Sequence, residues 1–117
     1  MCVERIVSVP RVRRRSTGER LREAVEKLAG SEARITIHTE APWASITFAG
    51  TRHRIELLFD GAAAIPAGEA FIDALPDHEF ALPRHLVAEA RITEVDHRLA
   101  PDPRMTVRAE ILLLEEG

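Results

Sequence analysis

The sequence predicts an α+β domain: a mainly antiparallel sheet with two helices on one face, in the order β-α-β-β-β-α-β-β. Three observations predict it. Runs rich in β-branched and aromatic residues alternate in polarity at a period of two. Two stretches, one opened by a capping signature and one by proline, carry apolar residues at helical spacing. Turn residues separate these runs at short intervals, and helices laid on one side of an antiparallel sheet satisfy that order. The 117 residues fit one domain, 1–117, long enough to bury a core without a disulfide or metal. A duplicated βαββ unit, or a ferredoxin-like sheet with an extra hairpin, are the two ways of drawing this order.

The elements follow in turn. Val3–Val9 (VERIVSV) is β-branched and stopped by Pro10, which predicts a strand. Arg11–Arg15 is a basic loop. Ser16, with Glu19 three residues on, makes a capping box, and Leu21, Ala24, Val25 and Leu28 follow at helical spacing until Gly30. RITIHT (34–39) alternates as a strand with Ile35 and Ile37 on one face. SITF (45–48) reads as the next strand, and Ala49-Gly50-Thr51-Arg52 as a tight turn into HRIELLF (53–59). That register pairs Phe48 with His53 and Ile46 with Ile55. A second helix is expected over 62–75, started by Pro66 and stopped by Pro76. His85–His97 and Met105–Leu114 read as long strands joined by a proline-rich turn.

Composition narrows the function classes. Hydrophobic residues make up 45% and charged residues 30%, the profile of a globular domain rather than a disordered one. Only Lys27 among 16 basic residues is lysine, and the wealth of arginine and alanine fits a GC-rich, bacterial-like genome. Cys2 has no partner for a disulfide, and no apolar run approaches the ~20 residues of a membrane span. A cytoplasmic protein with no membrane contact is the expectation. Net charge is −3, yet residues 1–22 hold seven arginines against Glu4 and Glu19, a basic arm on an acidic body.

Four groups of residues are candidates for function. Arg13, Arg14, Arg15 and Ser16 precede a helix N-terminus, where free amides and guanidinium groups favour an anion. A nucleic acid or phosphate-bearing ligand would use this segment, 11–20, although no aromatic residue interleaves the arginines to stack on bases. Arg34, His38, Arg54 and Glu56 fall on the sheet face opposite the helices, where a small anionic ligand could bind and His38 could titrate. Val87, Val95, Leu112 and Leu114 give the last two strands a second apolar face, which predicts a covering partner and so a homodimer. Asp77-His78-Glu79 sets an acid and a base in one turn, the basis of an alternative reading as a small acid–base enzyme.

No metal or cofactor is expected, because the five histidines show no ligand spacing; His85 and His97 stand about 40 Å apart on an unbent strand. No catalytic residue is assigned. The sequence therefore predicts a non-enzymatic small-molecule-binding or oligomeric interaction module, with nucleic-acid or phosphate binding by the basic segment as the alternative.

Overall fold

The computed structural model describes residues 15–116. The first predicted strand and residues Arg13 and Arg14 lie outside them. The order within them is α1 (Thr17–Ala29), β1 (Ala33–Ala44), β2 (Ala49–Asp60), α2 (Ile65–Ala74) with a 3₁₀ turn at Leu75–Asp77, β3 (His85–Arg98) and β4 (Arg104–Glu115). The strands form one antiparallel sheet, ordered β1-β2-β4-β3, and both helices pack on the same side of it. The α+β class and its helix-on-sheet layering are those the sequence predicts.

Local chemistry explains α1 completely. The Ser16 hydroxyl accepts from the Glu19 amide at 3.1 Å, and the Glu19 carboxylate accepts from the Ser16 amide at 2.8 Å. Leu21, Val25 and Ala29 then bury one stripe, and Gly30 ends the helix at φ 91°, a conformation that favours glycine. The opposing sheet face is built from alternate residues: Ile55, Leu57 and Phe59 of β2, and Met105, Val107, Ala109, Ile111 and Leu113 of β4. Phe71 and Leu75 close the core from the α2 side.

The β1–β2 hairpin departs from the sequence expectation. β1 runs on through Pro42 and Trp43, and the turn is Ser45–Phe48, not 49–52. The Ser45 amide donates to the Phe48 carbonyl at 2.8 Å, and the Phe48 amide donates to the Ser45 hydroxyl at 3.1 Å. Ile55 consequently pairs with His38 and His53 with Glu40, rather than with Ile46 and Phe48. Pro42 is tolerated because β1 is an edge strand, with no ladder partner on its far side among the described residues.

Bulges change which side chains share a face. Thr36 is inserted between Ile35 and Ile37, so Ile35 faces the helices while Ile37 faces away and is exposed. His38 and Glu40 are thereby carried to the helix side. Further shifts at Ala88 and Thr93 in β3 turn Val87 and Val95 to the helix side, opposite Leu113 and Val107. Leu112 and Leu114 point the other way. The four residues predicted to share a second apolar face are thus split between two faces, because each bulge resets a period of two.

Candidate functional site

With both helices on one side, the other sheet face is a platform of four strands, each 12 to 14 residues long and so about 41–48 Å from end to end. The strand register lays it out in cross-strand rows. At one end Trp43, Gly50, Leu114 and Leu86 form an apolar row, and Ala41, Arg52, Leu112 and Glu89 come next. Thr39, Arg54, Glu110 and Arg91 follow, then Ile37, Glu56, Arg108 and Glu94. Arg34, Leu58, Thr106 and Asp96 lie beyond them.

The middle rows form a connected lattice of charge. Glu110, almost completely buried, takes three arginines: Arg54 at 2.8 Å, Arg91 at 2.8 Å and Arg52 at 3.1 Å. Glu89 adds contacts to Arg91 at 3.3 Å and Arg52 at 4.0 Å. Arg108 bridges Glu56 at 2.9 Å and Glu94 at 3.0 Å, while the Thr36 hydroxyl donates to Glu56 at 2.7 Å. The hydrogen bond from Arg54, reinforced by Arg91, holds Glu110 below the usual carboxylate range against the effect of burial. Glu56 is lowered likewise, first by the Thr36 hydroxyl and then by Arg108. A buried carboxylate ringed by three guanidinium groups keeps its charge and fixes the arginines that surround it.

Of the residues expected to bind a small anion, Arg34, Arg54 and Glu56 do lie on this platform. His38 lies on its other side, where its Nε2 stands 2.9 Å from His53 Nδ1. Arg54 and Glu56 are already engaged by opposite charges. The depression between Ile37, Arg54, Glu56, Thr93 and Arg108 encloses about 160 Å³, below the roughly 300–1,000 Å³ of typical ligand pockets. Arg15 pairs with Glu23 at 2.9 Å, and Ser16 spends its hydroxyl on the cap. His78 meets the ring of Phe80 edge-on, centroids 4.6 Å apart, which gives it a packing contact.

Sequence reasoning passed over Arg52 and the burial of His53. The signal for His53 was present: it begins the alternation His53, Ile55, Leu57, Phe59, whose other members are all core residues. The apolar end of the platform continues into the β1–β2 turn, where Ile46 is fully exposed and Phe48 half-exposed. Leu99 is exposed at the opposite end, in the β3–β4 turn. Among the described residues no helix is long and apolar enough to cross a membrane.

No family model matches the chain, and no curated protein matches it. Among solved structures, a chain from the virion of a native gene transfer agent particle is similar, with a TM-score of 0.55 and 19% identity over 84% of this chain and 91% of that one. What this chain has in common with that one is its fold.

Proposed function

We propose that the chain is a non-enzymatic assembly subunit that associates with copies of itself, as a homodimer or a larger oligomer, through the platform and its apolar end. The observation that carries this reading is the row Trp43, Leu114 and Leu86, extended by Ile46 and Phe48, on a face that no helix among the described residues covers. Clustered exposed apolar side chains favour removal from water by another surface. The adjoining lattice carries both signs in near balance, and a surface with both signs can complement a second copy of itself in an isologous contact. Arg54 and Glu56, the centre of the expected anion site, are already paired with Glu110 and Arg108, so the small-molecule reading draws less support. The similar chain in a virion particle adds a setting, and a role as one subunit among many in such a particle is part of the proposal.

The test is sedimentation velocity of the wild type and of a double variant, Leu86→Asp with Ile46→Asp. Both positions are exposed, so the substitutions leave the thermal midpoint within a few degrees of wild type. The expected result is an oligomer for the wild type and a shift toward monomer for the variant. Equal association of the two proteins would move the interface away from this end.

A further inference from the structure

On the helix side of the sheet, away from the platform on which the assembly reading rests, three side chains converge. The Thr36 bulge turns His38 and Glu40 toward α1, and Glu40 lies directly across the ladder from His53. His38 Nε2 is 2.9 Å from His53 Nδ1, with ring centroids 5.2 Å apart and planes tilted by 47°. One ligand atom from each of His38, Glu40 and His53 lies within 4.8 Å of the other two. The Glu40 carboxylate rests against the first turn of α1 at Gly18, where a Cβ would come within 2.7 Å of Oε2.

His53 is 1% exposed, and its Nε2 has no hydrogen-bond partner among the described residues. A neutral imidazole has one N–H and one lone pair, and the contact with His38 uses only one of the two nitrogens. The other is left buried and unpaired, which is unfavourable. A fully buried histidine therefore stands at a position its own alternation reserves for apolar residues, with its Nδ1 turned toward His38. Two imidazoles and a carboxylate on rigid, paired strands are a transition-metal ligand set.

We propose that His38, Glu40 and His53 bind one divalent transition-metal ion of the zinc type, at the seam between the β1–β2 hairpin and the first turn of α1. Imidazole nitrogen with a single carboxylate suits zinc, cobalt, nickel or iron, whereas calcium and magnesium require several oxygens. Two nitrogens each about 2.05 Å from an ion and 2.9 Å apart subtend about 90° at it. Opening to a tetrahedral angle separates them by only about 0.4 Å more. The ion replaces the His38–His53 hydrogen bond by two metal–nitrogen bonds, and a position remains for water. Bound there, the ion fastens edge strand β1 to β2 beneath α1.

The probe is Co²⁺ added to the full chain after chelator treatment, read by its visible d–d absorption, with Zn²⁺ as competitor. One Co²⁺ per chain is expected, displaced by Zn²⁺ but not by Mg²⁺. His38→Ala and Glu40→Gln, at half-buried and exposed positions, each weaken binding by more than the roughly 10–100-fold that loss of an outer hydrogen-bond partner costs. They carry the test because His53→Ala removes a buried side chain and could fail to fold. Exposed His97→Ala keeps wild-type affinity. Gly18→Ala, which leaves all three ligands in place but crowds the carboxylate, weakens binding without lowering the stability of the metal-free protein. Absence of stoichiometric Co²⁺ binding overturns the proposal. So does affinity that survives in both His38→Ala and Glu40→Gln, or that is lost in His97→Ala.

Discussion

Replacing Phe59 by alanine lowers the unfolding free energy by about 3–5 kcal/mol. The ring is fully buried at the end of β2, 6.1 Å from the Phe71 ring of α2 and opposite Met105 of β4. Gly68 of α2 approaches so closely that a Cβ there would lie 3.1 Å from the Phe59 ring and 2.7 Å from the Met105 sulfur. The helix thus sits directly on this side chain, and a void left by alanine closes only if α2 moves toward the sheet. α2 has ten residues and no side-chain cap, so it is held by packing, of which this contact is a part alongside the burial of Phe71 and Leu75. Urea unfolding measures the loss, a large share of the total of about 5–15 kcal/mol for a domain. A change below about 1 kcal/mol would mean that α2 does not depend on this ring.

The second large effect belongs to Glu110→Gln. At neutral pH the substitution removes the charge that three arginines share and costs about 1–2 kcal/mol; Arg54 and Arg91 are well exposed, which holds the figure at the low end for charge-assisted hydrogen bonds. The pH dependence follows from direction. Glu110 and Glu56 are held below the ordinary glutamate value of 4.5, so the folded protein binds fewer protons than the unfolded chain in that region. Their stabilisation is fully present above 4.5 and is lost as pH falls through their lowered folded values. The gap between wild type and Glu110→Gln therefore narrows on acidification below 4.5. A gap that stays constant with pH would show that the carboxylate's charge contributes nothing.

Elements governed by neighbouring residues were legible in the sequence. The capping box at Ser16 and Glu19 and the stop at Gly30 bound α1 without help from the rest of the fold. The alternations of β2 and β4 expose a core face that tertiary packing then uses unchanged. The path of β1 was not legible. Gly50 attracts a turn assignment, yet it is a strand residue where β2 and β4 approach closely; a Cβ there would collide with the Leu113 carbonyl. The true turn, Ser45–Phe48, contains no glycine and is held by the Ser45 hydroxyl. Pro42 looks like a strand breaker until β1 is known to be an edge.

The same limit applies to the candidate sites. Arg34, Arg54 and Glu56 were placed on their face because no bulge intervenes between them and the pattern that predicts it. His38 was misplaced by the single extra residue Thr36, and the set Val87, Val95, Leu112 and Leu114 was divided by the shift at Ala88, which moves Val87 relative to Leu112, and by that at Thr93. A bulge leaves no mark in local composition, because it is selected by pairing with a distant strand. The convergence of His38, Glu40 and His53 was hidden for this reason: it depends on a hairpin register and a bulge together.

Assembly requires that the platform meet another copy of itself. Native mass spectrometry of the freshly purified chain decides this directly, compared with its denatured mass. The predicted result is a whole-number multiple of the chain mass, two or greater, that collapses to a single chain when Leu86 and Ile46 are both replaced by aspartate. A single chain at every concentration would contradict it.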